Sequence, residues 1–188
     1  MKRIVIFASG SGSNAENIIN YFKDHNSVTV SLLLSNKKEA AVLDRANRLK
    51  VPAMSFNRKA FEAGIVTSLL QNLSPDLIVL AGFLWKVPED MVKAFPGKIV
   101  NIHPALLPKF GGKGMYGMFV HQAVIENKEK ESGITIHYVN EHYDEGAVIF
   151  QQSTPVAETD TAEDVAAKVH ELEYAHFPVI IDQLLHAE

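Results

Sequence analysis

Two polar side chains stand at the end of an apolar stretch near the middle of the chain. Asn101 and His103 follow the run Lys98–Val100, and in an extended backbone two residues at this spacing point to the same face. An amide and an imidazole can hold a substrate oxygen and move a proton. Pro104 and Pro108 end any regular element, and glycines follow. The pattern is typical of a strand end that presents catalytic groups, although a capping asparagine beside a solvated histidine would look the same.

An acidic loop lies between two later apolar runs. The segment 140–146 contains three carboxylates, and a carboxylate close to His103 would raise the pKa of that imidazole and keep it protonated. A solvated acidic turn is the competing interpretation. We interpret His137, in the preceding apolar run, as a buried histidine with satisfied hydrogen bonds. The spacing of these histidines and acids matches no familiar ligand pattern, so no metal is expected.

A glycine-rich turn follows the first apolar run. The segment 10–15 fits the dinucleotide-binding pattern G-x-G-x-x-G/A between a predicted strand and a predicted helix. The next predicted strand ends without an acid for the ribose hydroxyls, which argues against NAD, and the Gly-Lys-Ser/Thr ending of a P-loop is absent. Because the start of a helix binds anions, we predict a site for a single phosphate of a mononucleotide or sugar phosphate. A plain tight turn with Asn14 as the helix cap is the alternative.

Strands and helices alternate along the first hundred residues. Continuous β-branched runs such as Lys2–Ala8 predict strands that are buried on both faces of a parallel sheet. The other predicted strands of this half are 28–34, 53–56, 77–81 and 98–102, and its predicted helices are 15–25, 39–49, 61–73 and 88–94. The remainder predicts a helix over 119–127, an antiparallel strand pair over 133–139 and 147–152, and a long helix over 161–185. We therefore expect an α/β fold: a doubly wound, Rossmann-like, mostly parallel sheet with a late antiparallel strand pair, in one domain over residues 1–188.

The composition argues against several classes of function. The net charge of −4 argues against a general nucleic-acid binder, and no apolar run reaches the length of a membrane span. The chain has no cysteine, which excludes disulfides and thiolate chemistry and fits a reducing compartment. The apolar stretch after Met1 is short and leads into the glycine turn, so we interpret it as a strand and not as a signal peptide. We expect a cytoplasmic protein that binds neither nucleic acid nor membranes.

Five separate motifs agree with one known family. They are SGSGSN at 9–14, LSNK at 34–37, PDLIVLAGFLWKVP at 75–88, NIHPALLPKF at 101–110 and YDEGAVIFQ at 143–151. On these motifs the chain closely resembles the phosphoribosylglycinamide formyltransferases, the folate-dependent glycinamide ribonucleotide (GAR) transformylase family. The resemblance covers nearly the whole chain and implies the formyltransferase fold.

The resemblance implies an enzyme of de novo purine synthesis. It would transfer the formyl group of 10-formyltetrahydrofolate, its co-substrate, to the amine of GAR, giving formyl-GAR and tetrahydrofolate. It would use neither a metal nor NAD, and a homodimer stays open. Transfer-RNA formyltransferases carry an extra carboxy-terminal domain and formyltetrahydrofolate hydrolases an amino-terminal regulatory domain, and we expect neither here. A formylfolate hydrolase and a nucleotide-binding module without turnover are the alternative functions.

The resemblance also implies roles for individual residues. Asn101, His103 and Asp144 would be catalytic, the first two as donors to an oxyanion and Asp144 as an aid to proton transfer. GAR would be bound by Gly12, Ser13, Asn14, His170 and Glu173. The folate would be bound by Arg58, Leu84, Trp85, Lys86, Val87, Asn101, Asn140, Glu141, His142, Tyr143 and Asp144. Trp85 stands where many relatives have arginine, His170 replaces a common basic residue, and the loop 111–119 is longer than in the shortest relatives.

Overall fold

Seven strands and seven helices make up the fold within residues 1–187, the part of the chain that the computed structural model describes. The strands are β1 (Lys2–Ala8), β2 (Val28–Ser35), β3 (Ala53–Ser55), β4 (Leu77–Leu80), β5 (Ile99–His103), β6 (Glu131–Tyr138) and β7 (Val148–Pro155). The helices are α1 (Ser13–Phe22), α2 (Ala41–Arg48), α3 (Arg58–Glu62), α4 (Ile65–Leu73), α5 (Glu89–Ala94), α6 (Met118–Glu126) and α7 (Ala162–His186).

The strands form one sheet in the order β3-β2-β1-β4-β5-β6-β7. β1 pairs in parallel with β2 and with β4, so that Ile6 lies opposite both Leu33 and Val79. β6 and β7 pair antiparallel, with Thr135 opposite Gln151. This topology confirms the predicted mostly parallel, doubly wound sheet with a late antiparallel pair.

Contacts within the chain define two compact units. One contains Met1–Val100 together with the residues from Asp182 onward, and the other contains Asn101–Ile181. The expectation of a single domain over the whole chain therefore stays a prediction.

The first unit is built around the apolar run of β1. Ile4, Val5 and Ile6 have no exposed surface, as expected for a strand that is covered on both faces. The predicted helix over 61–73 is wrong in one respect, because it is divided into α3 and α4. Gly64 lies between them with φ +75, a left-handed conformation that glycine adopts readily and that ends the first helix.

The second unit contains the antiparallel pair and the long helix. Residues 132–137 of β6 are all buried. α7 begins with a reciprocal cap: the backbone N–H of Thr161 donates to the carboxylate of Asp164 (2.9 Å), and that of Asp164 donates to the Thr161 hydroxyl (3.2 Å). The N-cap region predicted from the acids of this segment therefore forms as a capping box.

Candidate active site

The site in the second unit starts at the end of β5. Apolar Ile99, Val100 and Ile102 are buried, and their burial fixes the strand in the sheet. The two polar side chains of the strand, Asn101 and His103, share one face because side chains alternate along a strand. His103 is only 4% exposed, so its imidazole depends on protein groups for hydrogen bonds.

One ring nitrogen of His103 is committed to the backbone. Nε2 lies 2.8 Å from the carbonyl oxygen of Phe110, and because a carbonyl only accepts, Nε2 must carry the proton and donate. Nδ1 faces Oδ2 of Asp144 at 3.7 Å, which is longer than a hydrogen bond. The carbonyl thus fixes the tautomer and the ring orientation, and Nδ1 is the nitrogen left for chemistry.

Asp144 can lie beside His103 because two nearby glycines, which have no Cβ, let the backbone pack closely against neighbouring residues. A Cβ on Gly146 would overlap the carbonyl oxygen of Tyr138, and a Cβ on Gly111 would lie 2.6 Å from Leu107 Cδ2 and 3.4 Å from Asp144 Cβ. Oδ2 of Asp144 accepts a hydrogen bond from the backbone N–H of Gly112 at 2.9 Å. The acidic loop therefore folds back to His103.

His137 completes the group and was not predicted to belong to it. The residue is buried with satisfied hydrogen bonds, as the sequence indicated, since Nδ1 donates to the carbonyl of Tyr138 at 2.9 Å. Its Nε2 accepts from the side-chain amide of Asn101 at 3.1 Å and lies 3.7 Å from Oδ1 of Asp144. An amide nitrogen has two hydrogens, so Asn101 retains one donor for a substrate.

Burial decides the charge state of His103. Desolvation lowers its pKa, the Asp144 carboxylate and the Phe110 carbonyl raise it, His137 lowers it and Glu173 raises it, and the net pKa lies below the usual value of 6.5. The expectation that the acid holds His103 protonated is therefore wrong, because desolvation outweighs the nearby charge. For Asp144, burial raises the pKa, but His137, His103 and the Gly112 N–H outweigh it and hold the pKa below its usual range.

A second group of titratable side chains comes from α6 and α7 in the same unit. Glu173 is 4% exposed, and its carboxylate lies 2.7 Å from Nδ1 of His170. The bond to this carboxylate raises the pKa of His170. His121 is buried as well, and burial followed by the charge of His170 lowers its pKa. The structure thus brings together His170 and Glu173, the two residues of α7 that were expected to bind GAR.

In the first unit, the glycine turn leads directly into α1. Gly12 occupies the N-cap position with φ +77, and the helix begins at Ser13. Asn14 is therefore inside the helix and is not its cap. A Cβ on Gly12 would overlap the Val42 side chain, and Val42 donates its N–H to the carbonyl of Gly10 at 3.2 Å. Only glycine fits at position 12, and the turn presents the N-terminus of α1, which favours anions.

The expected folate residues of the first unit lie in two segments. Leu84 is 40% exposed and donates its backbone N–H to the buried hydroxyl of Ser9 at 2.9 Å. The guanidinium of Arg58 lies 4.3 Å above the ring of Trp85, and its Nη1 lies 3.2 Å from Glu62. Lys86 is exposed and Val87 is buried. The structure therefore brings Arg58 and Trp85 into contact and keeps the segment 84–87 fixed to the end of β1.

The expected folate residues of the acidic loop are arranged around an Asx turn. The side-chain oxygen of Asn140 accepts from the backbone N–H of His142 at 2.9 Å. Glu141, His142 and Tyr143 are exposed, whereas the Asp144 side chain is 12% exposed. The turn thus leaves three side chains at the surface and turns the fourth inward.

Within residues 1–187 no group of three or more histidine, aspartate or glutamate side chains has an arrangement that could hold a metal ion. In the same part of the chain, no helix is both long enough and apolar enough to cross a membrane.

Comparison with known proteins gives consistent results. The family model described as "Formyl transferase" matches residues 2–181. The phosphoribosylglycinamide formyltransferase of Bacillus subtilis is 38% identical over 192 residues, which cover 98% of this chain and 95% of the relative. The chloroplastic phosphoribosylglycinamide formyltransferase of Vigna unguiculata is 39% identical over 97% of this chain, and the match spans 61% of that longer relative.

Solved structures agree with these relatives. Glycinamide ribonucleotide transformylase 1 from Symbiobacterium toebii superposes with a TM-score of 0.90 at 32% identity, covering 98% of this chain and 88% of that one. Phosphoribosylglycinamide formyltransferase from Bacillus halodurans gives 0.89 at 35% identity, covering 99% and 96%. With the family model, the relatives and the fold in agreement, the chain belongs to the formyl transferase family.

Proposed function

We propose that this chain transfers the formyl group of 10-formyltetrahydrofolate to the amine of GAR, giving formyl-GAR and tetrahydrofolate in purine synthesis. The observation that carries the proposal is the group formed by Asn101, His103 and Asp144, in which an amide donor, a buried imidazole and a carboxylate meet at one strand end. Membership of the formyl transferase family and the names of the relatives support the reaction and its acceptor.

Each substrate is assigned to its own set of residues. The turn at Gly12, with Ser13 and Asn14 in the first turn of α1, receives the GAR phosphate, because helix N-termini stabilise anions. Glu173 binds GAR near its amine or ribose, and His170, whose Nδ1 lies 2.7 Å from the Glu173 carboxylate, is a further GAR residue. The segment 84–87, with Arg58 above Trp85, and the loop 140–144 border the folate.

The reaction begins with a neutral His103, because burial lowers its pKa. Nε2–H stays on the carbonyl of Phe110, so the lone pair of Nδ1 is available. The GAR amine attacks the formyl carbon, a C–N bond forms, and Nδ1 takes a proton from the attacking nitrogen. The formyl oxygen becomes an oxyanion, which accepts a hydrogen bond from the second N–H of Asn101 and from the new N–H of His103.

Asp144 stabilises the imidazolium at this stage. Its carboxylate stays ionised because its pKa is lowered, and it lies 3.7 Å from Nδ1. As the intermediate collapses, the C=O bond re-forms, His103 returns the proton to the folate nitrogen, and the bond between that nitrogen and the formyl carbon breaks. Electrons and protons balance, and His103 is again neutral.

An assay of the purified chain with 10-formyltetrahydrofolate, with and without GAR, tests the function. Tetrahydrofolate and formyl-GAR should appear in equal amounts and only when GAR is present. Formate released at the same rate without GAR would identify a hydrolase, and an unchanged formyl folate in both samples would identify a binding module. The cytoplasmic location and the homodimer stay predictions.

A further inference from the structure

The hydroxyl of Thr135 in β6 is buried and saturated. It donates to the carbonyl of Ala105 at 2.7 Å, accepts from the N–H of Leu107 at 3.0 Å, and accepts from Nε2 of Gln151 at 2.8 Å. A hydroxyl has one hydrogen and two lone pairs, so no further bond is possible. The orientation is unambiguous, because a carbonyl only accepts and a backbone N–H only donates.

Gln151 in β7 lies directly opposite Thr135 in the antiparallel pair. Its Nε2 also donates to the carbonyl of Leu107 at 2.9 Å. Both amide hydrogens are therefore used, and the carbonyl of Leu107 fixes which end of the amide is nitrogen. Through Thr135 and Gln151, the strand pair holds three backbone groups of the turn that follows β5.

This turn leads to the carbonyl that orients His103. Pro108, with its restricted φ, separates Leu107 from the segment that carries Phe110, and the Leu107 side chain packs where a Cβ on Gly111 would lie. Phe110 has φ +55, a strained conformation for a bulky residue that persists only where its surroundings impose it. The position of the Phe110 carbonyl is thus set by the turn before it.

We propose that Thr135 and Gln151 are positioning residues for His103: they fasten the turn 104–108 so that the Phe110 carbonyl holds Nε2 and leaves Nδ1 to the substrate. The inference rests on the proposed function for its catalytic meaning, but its structural core is the tautomer of His103. Neither residue touches the reacting atoms in this scheme. Losing the turn frees the ring to rotate and to exchange tautomers, and a displacement of about 1 Å can cost about 100-fold in rate.

Two matched pairs of variants test this role. Thr135→Val keeps the shape and removes the hydroxyl, whereas Thr135→Ser keeps the hydroxyl. Gln151→Met removes both amide donors. Gln152→Met makes the same change one residue on, where the exposed side chain donates to the carbonyl of Ser153 at 3.3 Å. Each protein is assayed for kcat and KM, and the His103 tautomer is measured from imidazole ¹⁵N chemical shifts at a pH where the ring is neutral.

Thr135→Val and Gln151→Met should lower kcat about 10- to 100-fold, leave both KM values within a few fold, and convert a pure Nε2–H signature of His103 into a mixture. Thr135→Ser and Gln152→Met should match the wild type in both readouts. The inference would be overturned if Thr135→Val and Gln151→Met both kept the wild-type kcat. It would also be overturned if both lowered kcat while the His103 tautomer stayed unchanged. If Thr135→Val does not fold, the Gln151 and Gln152 pair decides. If the wild-type chain transfers no formyl group, the proposed function fails and the tautomer measurement still tests the positioning.

Discussion

Nδ1 of His103 lies 3.7 Å from Oδ2 of Asp144, in ion-pair range but beyond a hydrogen bond. The other ring nitrogen is held by the carbonyl of Phe110. Nδ1 is therefore the ring nitrogen that can accept a proton, and the carboxylate can stabilise the resulting charge. Nε2 cannot take this role unless the ring loses its contact with the Phe110 carbonyl.

The first prediction concerns the His103 titration. In the wild type its pKa should lie below 6.5, because burial outweighs the nearby carboxylate. Asp144→Asn removes a charge that favours the imidazolium, so the pKa should fall further. An NMR titration of the imidazole measures both values. Glu145→Gln, which neutralises the exposed neighbouring acid, should leave the midpoint in place. A His103 midpoint that rises in Asp144→Asn would show that the carboxylate does not act on this ring.

The second prediction concerns the glycine turn. Ser13→Ala removes a hydroxyl at the first position of α1 while the φ of Gly12 and the contact with Val42 are kept. KM for GAR should rise about tenfold, the equivalent of one hydrogen bond to a charged group, with little change in kcat. KM for the formyl folate is the internal control and should not move. An unchanged KM for GAR would mean that the phosphate binds elsewhere.

The third prediction concerns stability and pH. Burial lowers the pKa of His121 below 6.5 in the folded chain, so below that pH the unfolded chain binds a proton that the folded chain does not. Stability from this residue is therefore present at higher pH and lost as the pH falls through the folded pKa, by up to about 1.4 kcal/mol per pH unit for one proton. His103 acts in the same direction, whereas the raised pKa of His170 acts in the opposite one.

Urea unfolding at a series of pH values measures this dependence. His121→Asn should flatten the loss of unfolding free energy between neutral and mildly acidic pH. His142→Asn, which removes a histidine from the surface of the acidic loop, is the control. Equal slopes for the wild type and His121→Asn would contradict a neutral, buried His121.

The order of helices and strands was predictable because the buried parts of strands such as β1 and β4 are continuous apolar runs. β1 begins and ends where the run Lys2–Ala8 does. The sequence predicts one unbroken helix over 61–73, because a glycine inside a helical pattern is tolerated at a modest cost. Only the backbone angle of Gly64, φ +75, shows that the helix is divided there.

The site was predictable only in part. The spacing of Asn101 and His103 indicated a shared face, but the contact between Asn101 and His137 depends on how β6 lies beside β5, and local patterns carry no pairing register. The available signal for His137 was its position two residues after Thr135 in the same predicted strand, since this spacing puts both polar side chains on one face. The sequence predicted a protonated His103 from the acidic loop, but burial lowers the His103 pKa more than Asp144 raises it. The depth of burial of a side chain is not visible in the local sequence.

The proposed oxyanion role of Asn101 is tested most directly by comparing the wild type with Asn101→Ala. The quantity measured is the rate of formyl-GAR formation at saturating GAR and 10-formyltetrahydrofolate. Asn101 has one amide hydrogen on His137, and in the proposed reaction the other one binds the oxyanion. The loss of an oxyanion donor typically costs about 100- to 1,000-fold in kcat. We predict a loss of this size in a variant that is folded by circular dichroism. A kcat within a few fold of the wild type would contradict the oxyanion role of Asn101.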